Sequence, residues 1–348
     1  MRILASIACA VLFCVLVSGP VRADDTLTVI GGSLSPNLLD VPDFVALEAG
    51  FFKEQHLDVT KQFLGSASAG CLQLLAAGKG DVCSASMEPI ISGYEKGVRL
   101  QLFFNRDPRY DYVIAVLDDS PIRTLADFKG KTIGEFAPGS AAEVSANAQL
   151  MGAGLRRSDY AYLPIGGGAQ GLFALTSRKV DGVAFPDGEF PVDTVVGHAR
   201  FRFFRNPILD DVPNVGYMST TALIEAKADP LRRYARALAE ADLFIHYNPT
   251  AAARYFLEGA GQNVTPDAVA TIAQEIAAYQ GSYPGADPSS KRIGAFPMRS
   301  VALYCRYMYD AGLTHVLVPA TAVVTNQFID FANAFDRRAV IARAKAAR

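Results

Sequence analysis

The sequence predicts an α/β protein of two lobes, each a mostly parallel sheet flanked by helices, joined by two extended crossings. Three observations carry this expectation. Short apolar strands alternate with helices of about ten residues, the rhythm of parallel strands covered on both faces. The same strand–helix order occurs twice. A stretch outside that rhythm separates the copies near Asn105–Asp119, and another follows the second copy at Asn206–Ala222. The 348 residues, half apolar and one fifth charged, with 29 Gly and 19 Pro, leave room for two modest lobes. They exclude a disordered, collagen-like or coiled-coil chain. A formal charge of −2 gives no electrostatic ground for a nucleic-acid partner or an acidic membrane face.

In the first copy, Thr26–Gly31 reads as a strand and Pro42–Gln55 as a helix with Phe44, Leu47, Phe51 and Phe52 on its apolar side. Strand Leu57–Phe63, helix Ala67–Ala77, strand Asp81–Ser84, helix Pro89–Lys96 and strand Arg99–Phe104 follow, with Gly78 and Gly97 ending the two helices. The second copy begins with Tyr112–Leu117. It continues through strand Thr132–Glu135, helix Ala141–Met151, strand Tyr160–Pro164, helix Gln170–Arg178 and strand Gly182–Phe185. The remainder is helical: Pro230–Tyr247, Pro249–Leu257, Pro266–Tyr279, Met298–Ala311 and Thr325–Ala334. Proline near several of these starts fits the first helical turn, where no N–H is needed. The basic residues that close the chain read as a solvated helix end.

Residues 1–23 stand outside this pattern. Arg2 precedes an apolar run from Ile3 to Val17, Pro20 breaks it, and Val21-Arg22-Ala23 places small residues at the −3 and −1 positions of a cleavage site. This is the layout of a secretory signal peptide cleaved after Ala23, and the run is shorter than the roughly 20 residues that span a bilayer. Cys9 and Cys14 leave with it, neither placed for lipid attachment, which favours a Gram-negative periplasm over a lipid-anchored surface location. Cys71, Cys83 and Cys305 remain. An oxidising compartment permits a Cys71–Cys83 bridge, but small buried apolar residues are the plainer reading, and an odd count leaves one thiol over.

Enzyme signatures fail in turn. Gly166-Gly167-Gly168-Ala169-Gln170-Gly171 satisfies a dinucleotide fingerprint, with Asp187 about twenty residues on. Its helix is short, its strand lies mid-chain, and an exported protein meets no free pool of the cofactor. No G-x-S-x-G elbow is present. His56, His198, His246 and His315 sit in different elements without metal-ligand spacing. The reading therefore expects no catalytic residues, no metal and no cofactor.

The informative segments are the small, polar loops after strand carboxyl ends, where open α/β sheets bind ligands. Gly65–Gly70 opens one helix of the first copy and Ser84–Glu88 follows its third strand. Pro138–Ala142 opens the first helix of the second copy, and Phe185–Phe190 follows its third strand. Small residues let backbone N–H groups approach a ligand, and helix N-termini favour negative charge. Two facing helix N-termini, one per lobe, would hold an anionic or strongly polar group. N-capping by serine is the plainer alternative for each loop.

Four blocks then resemble a known family. Pro42-Asp43-Phe44-Val45-Ala46-Leu47-Glu48-Ala49-Gly50-Phe51-Phe52-Lys53 with Leu57-Asp58-Val59 is similar to the opening of periplasmic solute-binding proteins of the sulfonate/nitrate/taurine and thiamine-pyrimidine-precursor (NMT1/THI5-like) group. Leu74–Val82, Leu125–Gly134 and Thr325–Asp330 match later blocks in the same order. His56 departs from the family pattern, which has glycine before Leu57, and the chain holds no Trp. Phe185, Phe190, Tyr112 and Tyr217 are alternative aromatic walls, or else core.

The resemblance implies a type II periplasmic-binding fold, divided as lobe 1 over 24–112 and 223–348 and lobe 2 over 113–222. It implies ligand contacts at Leu39, Asp40, Ser66, Ala67, Ser68, Ser84, Ser86, Ser140, Ala141, Phe185 and Asp187, with Asn105, Tyr112, Gly139 and Tyr217 near the cleft. The expected partners are a small organic anion or polar heterocycle and a membrane permease with cytoplasmic ATPase subunits. A monomer that closes its lobes on the ligand, bending near 105–112 and 213–217, is the expected form. A ligand-sensing adaptor for a membrane receptor, or a pyrimidine-synthase-like enzyme on the same fold, are the competing functions.

Overall fold

The computed structural model describes residues 24–31, 36–64, 67–107, 110–166, 168–187, 190, 199–205, 209, 212–281 and 292–347. The signal-peptide reading of residues 1–23 lies outside them. Lobe one is built on a five-stranded sheet in the order β2-β1-β3-β10-β4, from β1 (Asp25–Gly31), β2 (Leu57–Phe63), β3 (Val82–Ser86), β4 (Leu100–Asn105) and β10 (Val215–Thr220). Lobe two has the order β7-β6-β8-β5-β9, from β5 (Tyr112–Leu117), β6 (Thr132–Glu135), β7 (Ala161–Pro164), β8 (Gly182–Pro186) and β9 (Phe201–Phe204). The orders are the same when each sheet is counted from its own first βαβ strand. In each, one antiparallel strand is inserted beside the third: β10 pairs with β3 and β4, and β5 with β8 and β9.

The inserted strands correct two expectations. β10 belongs to the first sheet, so the second lobe ends before it rather than at residue 222. β10 is a strand where only an extended crossing was expected, and β9 is a strand to which no element was assigned. Phe201 and Phe203 alternate with Arg202 and Phe204 on an edge strand, a signal too short to separate from a loop. The helix expected over Thr325–Ala334 shrinks to Ile329–Ala332.

Helices cover both faces of the first sheet. α1 (Val41–Glu48), α2 (Phe51–Glu54), α8 (Ala228–Tyr247), α9 (Pro249–Gly259) and α14 (Arg337–Ala346) share one apolar cluster with Leu27, Val29 and Phe103. α3 (Ala67–Ala76), α4 (Glu88–Gly93) and α11 (Met298–Asp310) pack on the other side with Ile30, Ala85 and Leu102. The second sheet lies between α5 (Ala141–Gly152) and α6 (Gly168–Thr176), whose apolar residues fill separate clusters. The lobes also touch: Ala148 of α5 is buried in the α4–α11 cluster, and a Cβ on Gly152 would sit 2.8 Å from the Tyr307 hydroxyl of α11. At the family's glycine position His56 takes φ 51, a left-handed conformation that glycine adopts without penalty.

Cys71 of α3 and Cys83 of β3 are joined in a disulfide, which resolves the open cysteine question, and Cys305 is a buried free thiol. No helix among the described residues is long and apolar enough to cross a membrane.

Candidate ligand-binding cleft

Chain direction brings the carboxyl ends of the two sheets together. β4 ends at Asn105, and β5 then starts at Tyr112 opposite Pro186, the carboxyl end of β8. On the return, β10 starts at Val215 opposite Ser86, the carboxyl end of β3. The two crossings are tied to each other: the N–H groups of Arg106 and Asp107 donate to Val215 O at 3.1 and 2.9 Å, and Asn214 N–H donates to Asp107 O at 2.9 Å. Asn214 Nδ2 also donates to Asp111 Oδ1 at 2.6 Å. Both sets of strand carboxyl ends therefore border one pair of crossings.

Lobe one holds a buried charge cluster at the start of α1. Lys61 lies on the inward-facing register of β2 and pairs with Asp40 at 2.7 Å and with Asp43. Tyr217 and Tyr234 donate to Asp43 at 2.8 and 2.5 Å. Burial pushes the Asp43 carboxyl up, but Lys61, the tyrosine hydroxyl of Tyr234 and Arg106 together hold it below the usual range. Asp242, in the last turns of α8, is pushed up to about 7 by burial, with Arg106 opposing and Asp43 assisting.

Arg106, one residue past β4, donates from Nη1 to Ser84 Oγ at 2.9 Å and lies over the Tyr217 ring at 5.6 Å. Asn105 donates from Nδ2 to Ala295 O at 3.2 Å, and its buried Oδ1 has no hydrogen-bond partner among the described residues.

On lobe two, Ser140 caps α5, accepting from Glu143 N–H at 3.2 Å, and Gly139 holds φ +74 just before it. The Glu143 carboxylate folds back onto Gly139 N–H at 2.5 Å, with Arg157 at 3.6 Å. The capping alternative thus holds at this loop: an acidic side chain already faces the α5 N-terminus, which weakens it as an anion seat. Glu135, at the end of β6, is pushed up to about 7 by burial and by Glu143 beside it. Asp187 pairs with Arg205 at 2.5 Å, and its N–H donates to Asp111 O at 2.8 Å.

The expected contact residues therefore divide. Asp40, Ser84, Ser86, Asn105, Gly139, Ser140, Ala141 and Asp187 lie at strand carboxyl ends or on the loops that follow them, and Leu39 is half-buried beside Asp40. Ala67 and Ser68 fall in the first turn of α3, and Ser66 lies outside the described residues. Phe185, Phe190 and Tyr217 are core: the two phenylalanines pack within lobe two, and Tyr217 is buried against Phe104 and Tyr234. Tyr112 is half-buried between clusters, its ring edge-on to Tyr110. Sequence reading singled out Arg106 as a basic residue near the loops but missed Asp43, Lys61 and Asp242. A lysine on the apolar register of a strand was the available signal for Lys61 and its acids.

The family described as NMT1/THI5 like matches residues 40–252 of this chain. Among solved structures, the alkanesulfonate-binding protein SsuA from Xanthomonas axonopodis pv. citri, bound to MOPS, shares 18% identity. The match covers 87% of this chain and 99% of that one, at a TM-score of 0.61. The periplasmic aliphatic sulphonate binding protein SsuA from Escherichia coli shares 19%, covering 87% and 92%, at 0.61. The periplasmic nitrate-binding protein NrtA from Synechocystis PCC 6803 shares 12%, covering 94% and 100%, at 0.60. At such identities the likeness is one of fold, the two-lobed periplasmic-binding architecture. No curated protein matches the sequence.

Proposed function

The chain belongs to that NMT1/THI5-like family, and from this premise we propose that it is an exported receptor that closes two lobes on a small organic ligand and hands it to an ABC importer. The observation that carries the reading is the convergence of both sheets' carboxyl ends on one pair of hydrogen-bonded crossings. Chains built this way bend at the crossings, and a ligand touching both lobes favours the closed state. The family match and the importer components among its structural neighbours support delivery to a permease, and a periplasmic site of action, over chemistry on the ligand.

The cleft's polar groups suit a ligand with both acceptors and donors. Arg106 and Ser84 offer donors, and Asn105 Oδ1 is a buried acceptor that a ligand N–H would satisfy. Asp40 and Asp43 are already compensated by Lys61, and Glu143 faces the α5 N-terminus. A bare inorganic anion would leave Asn105 unsatisfied and meet the acids of lobe two. An organic acid or polar heterocycle carrying an N–H group fits better.

A thermal-shift screen of the chain from Asp24 onward, against organic sulfonates, carboxylates, pyrimidines and nitrate, tests this. A ligand that binds only the native state raises the melting point with its excess over Kd. A saturable shift with an N–H-bearing organic class is the expected result; a shift with nitrate alone would overturn the ligand assignment.

A further inference from the structure

We propose that Glu88 is a positioning residue for the cleft: as an uncharged acid, it ties the Ser86 end of β3 to the tyrosine pair on which lobe two is seated. Glu88 opens α4 two residues beyond Ser86 and is fully buried. Its Oε1 accepts from the Tyr304 hydroxyl of α11 at 2.9 Å, and the Ser86 hydroxyl bonds the same carboxyl. The Tyr304 and Tyr110 hydroxyls are 3.0 Å apart, and Tyr110 in turn bonds Ser145 of α5. A chain of buried hydroxyls thus runs from β3, through α11 and the first crossing, to the helix whose N-terminus borders the cleft from the other lobe. Val144 and Ala148 of α5 pack into the same apolar cluster as Tyr110 and Tyr304, so the polar chain and the apolar contact share one seat.

The charge state follows from the surroundings. The groups that face the carboxyl are its own backbone N–H, Ser86 from β3, Tyr304 from α11, Tyr110 from the crossing and Tyr112 from β5, all of them neutral. Its second oxygen, Oε2, is buried without a hydrogen-bond partner among the described residues. A carboxylate there would be a buried charge with no cation beside it, held only by hydroxyl and backbone N–H donors. Burial raises its titration accordingly, and the hydroxyl bonds offset this in part.

The effect on affinity rests on the cleft being the ligand site; the coupling between lobes does not, and the two are read separately. Amide hydrogen exchange on the ligand-free chain compares wild type with E88A, E88Q and Y304F. E88A and Y304F are expected to speed exchange about tenfold or more around Ser145 in α5, in the other lobe, while E88Q stays near wild type. In difference infrared spectra at neutral pH, wild type minus E88Q is expected to show the carbonyl stretch of a protonated carboxylic acid. Unchanged α5 exchange in E88A, or a carboxylate band in place of the acid band, would overturn the proposal. Where wild type binds a ligand, E88Q should match its affinity within about twofold at neutral pH and E88A should bind at least about tenfold more weakly. A wild-type chain that shows no ligand-induced melting shift would instead count against the cleft reading, with the exchange result still deciding the role of Glu88.

Discussion

Lys61→Met removes the cation that Asp40 and Asp43 share while keeping most of the volume of the side-chain stem. Both carboxylates are nearly solvent-free, with side-chain exposures of 4% and 3%, and Lys61 itself is 10% exposed. Breaking a buried pair by removing one partner costs about 3–5 kcal/mol, because the remaining charge is stranded. Asp43 keeps its bonds from Tyr217 and Tyr234, so the loss should fall near the lower end, about 3 kcal/mol. Urea denaturation at neutral pH reads this as a lower midpoint with an unchanged slope.

The pH dependence adds a sign. In wild type the Asp43 value is depressed, so its contribution is present above the ordinary carboxyl value and is lost as pH falls through the folded value. Without Lys61, burial dominates and the folded value rises above the unfolded one. The variant's deficit should then shrink as pH falls toward 4.5, and Lys61→Met with Asp43→Asn should regain much of the loss. A deficit under about 1 kcal/mol, or one independent of pH, would refute the reasoning.

Arg106→Lys keeps the charge but loses the planar guanidinium, and should weaken ligand binding about tenfold by titration calorimetry; equal affinity would remove Arg106 from the site. Cys71→Ala with Cys83→Ala opens a bridge of sequence separation 12 and should lower unfolding free energy by about 2–3 kcal/mol in urea melts. Glu135 titrates at about 7 in the fold against an ordinary 4.5, so its contribution is present below 4.5 and lost as pH rises through about 7. Glu135→Gln should therefore flatten the decline in stability between pH 5 and 8, and identical declines would contradict the shift.

Strand and helix placement was legible wherever one apolar face was long enough to set a period. Leu57–Phe63, Tyr112–Leu117 and Thr132–Glu135 match their strands, and the fold class follows from their alternation with helices. The inserted strand β10 was not legible as part of lobe one, because its partners β3 and β4 precede it by more than a hundred residues and nothing local records that pairing. The polar loops pointed to the cleft, since strand carboxyl ends are where backbone donors collect. Its charged members were less visible. Asp43 and Lys61 are separated by a helix and part of a strand, and only the fold shows that they meet. Phe185 and Tyr217 read as cleft walls or core from sequence, and burial decides for core: both rings are enclosed by other aromatics.

Lobe closure on a ligand is the central claim, and small-angle X-ray scattering of the chain from Asp24 onward tests it directly. With a saturating ligand from the thermal-shift screen, the radius of gyration should decrease relative to the ligand-free protein, and the change should saturate at the same concentration as binding. Saturable binding with no change in the scattering curve would contradict a receptor that works by bending at its two crossings.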